Sequence, residues 1–343
     1  MSELEAAGVT VAGAAPASQI TPTRRRRDHS ATITFWLFVA PMVIGLGVFT
    51  FLPIAWGFLL SLTQARNTIS LGDWVGLENY AGILVDAEFR KSMVTIILFT
   101  LFIVPLTFVV SLALAMMVNG VGRGTGFFRT VFFIPTAVSY VVASLIWRMG
   151  IFNGLPSGFA NWLLYTLGEE PGLPFGLGQV LLDFVGGNRV VWIGTPHPPW
   201  YWLVLVTVRL WLQVGFYMII FIAGLQEIPR ALYEAAWVDG ARTGWNTFRS
   251  ITLPGLRNTA IAVLLLSFIA AFQAFDEFFN ILGGTAASTG NQGLARPPLV
   301  YLYRVAFADQ DYGRGSAGAF ILTALIISVT LIQGRIFGFG RKA

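Results

Sequence analysis

Residues 226–242 read Gln226-Glu227-Ile228-Pro229-Arg230-Ala231-Leu232-Tyr233-Glu234-Ala235-Ala236-Trp237-Val238-Asp239-Gly240-Ala241-Arg242, and the segment runs on through Phe248-Arg249-Ser250-Ile251-Thr252-Leu253-Pro254. Two short helices fit it. Pro229 suits a first helical position, where its missing N–H costs nothing. Leu232, Ala235, Ala236 and Val238 make an apolar stripe with Glu234 beside it. Asp239-Gly240 ends the helix, because glycine takes the left-handed conformation past a helix C-terminus cheaply. Thr243 is placed to cap the second helix, and Pro254 opens the next apolar stretch. The small Ala235-Ala236 pair lets another surface approach closely. Periodicity alone leaves open whether this is an amphipathic loop lying on a bilayer or a docking element.

Working outward, the surroundings are a membrane protein. The chain has 343 residues, 55% hydrophobic, 14% aromatic and only 11% charged. An average soluble domain is about 25% charged. Together with a mean hydropathy of +0.70, this excludes an ordinary cytosolic enzyme and disorder over most of the chain. Six stretches reach the length of about 20 apolar residues that a span needs: Ile33–Leu62, Ser92–Val118, Phe127–Trp147, Trp200–Leu225, Thr259–Leu282 and Ser316–Phe337. The expected fold is all-α, a polytopic membrane protein with six transmembrane helices in residues 31–343. Pro41, Pro53, Pro105 and Pro135 interrupt them, which packed membrane helices tolerate. Trp36, Trp56, Trp147, Trp200 and Trp202 fall near span ends, as an aromatic belt requires.

Residues 1–30 are rich in Ala, Gly, Pro and Ser and carry Arg24-Arg25-Arg26-Arg27. They read as a disordered basic cytoplasmic tail. The following apolar stretch exceeds the roughly 7–15 residues of a signal-peptide core, so an uncleaved anchor is expected. With the N-terminus inside, thirteen Lys and Arg residues fall in inner segments and eight in outer ones, with Arg209 inside a span. The positive-inside rule then puts both termini in the cytoplasm. The net charge of +5 is a topology signal and gives no reason to expect nucleic acid. The outer loops 150–199 and 283–315 are long, which marks functional or disordered segments, and Leu177–Phe184 reads as a short surface helix.

Much chemistry is excluded. Without cysteine, no disulfide, Cys-ligated zinc or thiol site exists. His29 and His197 are the only histidines, too isolated for a metal site. Lys91 and Lys342 are the only lysines, and neither follows the glycine a phosphate-cradling P-loop requires, since Arg90 precedes Lys91. The chain has no Walker-type ATP site, and no Ser-His-Asp set or H-E-x-x-H appears, so it is not expected to be an enzyme.

The E-A-A-x-x-D-G-A run followed by F-x-x-I-T-L-P resembles the coupling loop of ABC importer permeases, closest to the carbohydrate type I branch that includes maltose and glycerol-phosphate permeases. Leu225-Gln226-Glu227-Ile228-Pro229, Trp211-Leu212-Gln213-Val214-Gly215-Phe216, Phe272-Gln273-Ala274-Phe275-Asp276, Ala40-Pro41 and Phe133-Ile134-Pro135 are similar to further motifs of that branch. The resemblance runs from about Phe35 to Arg335. It implies a bacterial plasma-membrane subunit forming half of a sugar pore. Its implied partners are a second permease, expected to be a different chain, two ATPase subunits and an extracellular solute-binding protein, all within membrane lipid. ATP and Mg would be bound by the ATPase, leaving no cofactor in this chain. Carried over, Glu234 becomes the acidic contact to the ATPase, Ala235, Ala236 and Gly240 give close packing, and Asp239 holds the turn. Two departures stand out. Leu282-Gly283-Gly284-Thr285 lacks the proline of the branch's T-x-G-G-P, and the loop around Pro171–Val190 is longer than usual. Both weaken any transfer of binding-protein contacts.

Charges within spans are costly and usually buried or functional. At 1.5 Å per residue, Arg209 lies about 14 Å below the outer start of its helix, and Asp276 and Glu277 about 27 Å above the inner start of theirs. One reading has them solvated or paired with neighbours. The other has Arg209, Gln213, Gln273 and Asp276 line the outer half of a sugar path, with Trp211, Phe272 or Tyr217 as aromatic platforms. Arg209 and Gln213, four apart, share a helix face. A competing class, a proton-coupled carrier relaying through Asp276 or Glu277, usually has internal repeats and midplane acids; no repeat is evident here. A structural membrane protein without transport is a third class, disfavoured by the E-A-A loop.

Overall fold

The computed structural model describes residues 29–120, 122, 124–155, 157–168, 177–185, 187, 190–194, 197–240, 244–283 and 295–336. The expectations placed on residues 1–28, Arg123, Ala241 to Thr243, Gly284-Thr285, 337–343 and nine of the residues 171–190 lie outside these. Within them the protein is helical: α1 Ile33–Ser61, α2 Glu78–Val85, α3 Ala87–Gly120, α4 Thr125–Ala137, α5 Tyr140–Ile151, α6 Phe159–Gly168, α7 Leu177–Val185, α8 Tyr201–Glu227, α9 Arg230–Val238, α10 Trp245–Gly255, α11 Arg257–Phe272, α12 Asp276–Leu282, α13 Pro298–Ala308 and α14 Tyr312–Ile336. No strand occurs among them; Thr63–Trp74 and Arg66–Asp311 form isolated bridges.

Residues up to Ala55 form one unit and Trp56–Ala343 a second. In the first unit the helix is apolar throughout, and side chains such as Phe38 and Phe49 are exposed. In water that would be untenable, whereas a hydrocarbon surround accommodates it. In the second unit α8 is the central element. It packs along α3 and touches α4, α11 and α12.

Six spans, several of them interrupted by proline, were expected; four helices qualify as they stand, α1, α3, α8 and α14, and two bent pairs make up to six. The first pair, α4 and α5, turns by 93°. Pro135 sits in a tight 3₁₀ turn, Ile134–Ala137, and Val138 and Ser139 then take extended backbone. The second pair, α10 and α11, bends by 71°. The expected span Thr259–Leu282 is also split, because α11 stops at Phe272 and α12 restarts at Asp276 after a non-helical Phe275. A break inside a membrane must re-satisfy the carbonyls it frees; how it does so is the centre of the site described below.

One of the tryptophans assigned to an interfacial belt is a core residue: Trp147 is buried, donates from its indole Nε1 to Thr207 Oγ1 at 3.1 Å and packs on Trp211. Trp202 is half-buried and packs on Phe99 and Phe278. The expected surface helix at Leu177–Phe184 is present as α7. Described parts of the long 150–199 loop are packed: buried Asn161 donates to the Val190 carbonyl and accepts from the Val190 N–H and Trp192 Nε1.

Candidate functional site: the 226–255 loop and a buried ion pair

Helix α9 begins one residue later than the sequence indicates. Pro229 is the extended N-cap and Arg230 the first helical residue, because a proline in the cap position still leaves the following turn free to start. The end is as expected. Asp239 is the C-cap, and Gly240 follows at φ +82, donating its N–H to the Trp237 carbonyl at 3.1 Å. That left-handed position strains any residue with a Cβ.

The helix has one attached face and one free face. Tyr233 hydrogen bonds Thr252 of α10 at 3.0 Å. Tyr233, Phe248 and Ile251 pack on a cluster built from Ile228, Leu256, Phe221 and Val118. Both halves of the loop are thus bolted to the ends of α8, α3 and α11. On the other face Leu232, Glu234, Ala235, Trp237 and Val238 are exposed, Val238 by 88% and Trp237 by 55%, and Ala236 is half-buried. Glu234 has no ion-pair partner among the described residues. Trp245, stacked on Phe248, extends the exposed apolar surface. Large exposed apolar side chains on one helix face suit contact with another surface.

The intramembrane charges resolve into a network. Arg209 and Glu277 pair at 2.6 Å with side chains 5% and 1% exposed. Arg209 Nε also donates to Gln213 Oε1 at 3.0 Å, a second guanidinium nitrogen donates to the Ala270 carbonyl, and the cation lies 5.5 Å from the Tyr140 ring centroid. Ala270 sits in the last turn of α11, whose carbonyls lose their helical partners at the break. Arg209 supplies one replacement donor and neutralises the acid on the far side of the break. Of the expected path residues, buried Arg209 and half-buried Gln213 are therefore together. Gln273 is exposed, Asp276 half-buried and Trp211 partly exposed. The platforms Phe272 and Tyr217 are buried. Glu277, which the sequence offered as a paired charge or a proton relay without naming its partner, is the acid that Arg209 meets. Its distance of 68 residues from Arg209 left no local signal.

The Trp211-to-Phe216 motif has a packing role. The backbone of α8 at Gly215 runs so close to the Phe132 carbonyl that an added Cβ would overlap it, and Thr136 Oγ1 donates to the Leu212 carbonyl at 3.1 Å. The Phe133-Ile134-Pro135 turn and the W-x-x-x-G-F run are two sides of one contact.

Residues 108–337 match the family of binding-protein-dependent transport system inner membrane components, and this chain belongs to that family. It is a multi-pass membrane transport subunit, not an enzyme. It is 31% identical over 306 residues, 89% of this chain and 94% of the relative, to the trehalose/maltose transport system permease protein MalF of Thermococcus litoralis. It is 31% identical over 302 residues, 88% and 93% of the two chains, to the sn-glycerol-3-phosphate transport system permease protein UgpA of Agrobacterium fabrum. In fold it is similar to a chain of a bacterial ABC transporter involved in import of the acidic polysaccharide alginate, with TM-score 0.70, 19% identity and coverage of 92% of this chain and 98% of that one.

Proposed function

We propose that this chain is a permease subunit of a sugar ABC importer, forming half of the translocation pore and taking its drive from a partner ATPase through α9. Family membership and relatives named for trehalose/maltose and arabinooligosaccharide transport support a carbohydrate cargo. The observation that carries the coupling is the free face of α9: Glu234, Trp237 and Val238 project from a helix whose other side is fastened to three spans. Force applied there moves the spans and is not lost in a loose loop. In this reading the 226–255 loop and both termini are cytoplasmic, as the positive-inside rule requires. Two ATPase subunits bind ATP and Mg, a second permease completes the pore, and a solute-binding protein delivers cargo on the opposite side. The resolved alginate-transporter complex with a pentasaccharide-bound periplasmic protein, similar in fold at TM-score 0.68, supports such an arrangement.

Glu234, Ala235 and Ala236 are the proposed ATPase contact, with Asp239 and Gly240 fixing its end. The proposed sugar path uses the accessible groups Gln273, Asp276 and Trp211, while Arg209 and Gln213 hold the wall behind them. The test is ATP-dependent uptake with ATPase turnover measured in parallel. Glu234→Ala and Gly240→Asp are expected to insert normally, hydrolyse ATP and fail to transport. Normal transport by Gly240→Asp would overturn the coupling role, and uptake driven by a proton gradient without ATP would replace the whole reading.

A further inference from the structure

A cavity of about 550 Å³ opens beside the coupling loop, lined by Asn119 from α3, Thr125 and Arg129 from α4, Gln226 from α8, and Arg230 and Tyr233 from α9. Among the described residues its charged lining is cationic, with no carboxylate. Arg129 is half-buried, and its Nε is shielded from solvent with no hydrogen-bond partner among the described residues. Shielded polar donors are usually paired, although the Nε of Arg296 and of Arg314 are left in the same way. Around the fully buried Arg209, by contrast, stand a carboxylate, an amide and a backbone carbonyl. Two helices also start at this cavity, α4 after Gly124 and α9 after Pro229, and neither cap residue has a side chain that could accept from the first turn. Helix starts carry a partial positive charge that favours an anion.

We propose that this cavity binds a phosphate group, taken by Arg129 and Arg230. Arginine forks match the geometry of phosphate oxygens, and Asn119, Gln226 and Tyr233 offer further donors. Basic pockets between membrane helices hold phospholipid headgroups in this way, and a free phosphate has the same chemistry. Because Arg230 and Tyr233 belong to α9 while Arg129 belongs to α4, an occupant ties the coupling helix to the first bent pair. The site does not depend on how transport is driven, so its test is a binding measurement.

The test uses the full-length chain purified in detergent. In one arm it is offered phosphatidylglycerol and phosphatidylcholine and examined by native mass spectrometry; in the other its thermal unfolding is followed with inorganic phosphate against chloride at matched ionic strength. Arg129→Gln and the Arg129→Gln/Arg230→Gln pair are compared with Arg249→Gln, an exposed arginine on the same loop outside the cavity. Retention of phosphatidylglycerol that falls about fivefold or more in the double variant, with Arg249→Gln unchanged, assigns the site to a headgroup. A phosphate-induced rise in unfolding temperature that the double variant loses, without selective lipid retention, assigns it to a soluble phosphate. Equal behaviour of wild type and the double variant in both arms overturns the proposal. So does a double variant that binds phosphate normally but no longer co-purifies with an ATPase, since the arginines would then serve a protein carboxylate.

Discussion

Arg209 of α8 and Glu277 of α12 meet at 2.6 Å with almost no solvent contact, beside the break between α11 and α12. The pair does more than cancel charge. The same guanidinium takes the Ala270 carbonyl that the break releases and the Gln213 amide one turn along its own helix. A span that stops at Phe272 and restarts at Asp276 is held in register by a side chain from its neighbour.

Removing one member of a buried pair leaves the other charge uncompensated, which costs about 3–5 kcal/mol, whereas replacing both with apolar groups of similar size is often neutral. Glu277→Leu is therefore expected to lower the unfolding temperature in detergent sharply, and Arg209→Met likewise. The double variant is expected to be more stable than either single one. Additive losses in the double variant would mean that the two side chains stabilise the fold separately.

Much of this was legible from residue order, and the limit is physical. Leu225 through Pro254 revealed two helices, their glycine stop and their exposed acid, because caps and periodicity are local. The kink at Pro135 was visible as a proline, but its 93° bend needs the extended Val138 and Ser139, which no local rule demands. Trp147 looked interfacial by position; only its burial and its partners Thr207 and Trp211 show it to be core. Arg209 was recognisable as a buried charge, yet its partner depends on tertiary packing across 68 residues.

Gly215 offers a sharper packing test. Its close approach to the Phe132 carbonyl leaves no room for a side chain, and helix contacts in membranes rely on small residues at such points. Gly215→Leu must push α8 away from the α4 turn, disrupting the Thr136 bond to Leu212. Overpacking of this kind costs about 1–3 kcal/mol. Lower yield of folded protein and a depressed unfolding temperature are expected; a variant as stable as wild type would show that the two segments separate freely.

Asp86 caps α3, accepting from the Glu88 N–H at 2.8 Å and the Phe89 N–H at 3.2 Å. Burial works against its charge, but these bonds, the Tyr301 hydroxyl and Arg314 outweigh it and hold the carboxyl below its usual value of 3.8. A lowered folded pKa stabilises above the unfolded value and is lost as pH falls through the folded one. Asp86→Ala is expected to cost about 1 kcal/mol at pH 7. The gap should close only below the usual carboxylate pKa, and Asp86→Asn should keep most of the cap. Thermal unfolding of the three proteins from neutral to acid pH measures this, and a gap that ignores pH would assign the effect to something other than the ionised cap.

The sugar path is open to a direct uptake measurement. Gln273 ends α11 at the break with its amide exposed, and Asp276, three residues on, is half-buried at the first turn of α12. A hydroxyl-rich cargo needs such donors and acceptors, and losing one neutral hydrogen bond costs about 0.5–1.5 kcal/mol. Gln273→Ala is expected to lower uptake affinity or rate by roughly threefold to tenfold, in line with that energy, with stability unchanged because the amide makes no interior bond that the fold requires. Glu277→Leu should instead lose stability first. If Gln273→Ala transports with unaltered affinity and rate, Gln273 is not on the path, and the accessible groups around Trp211 become the next to test.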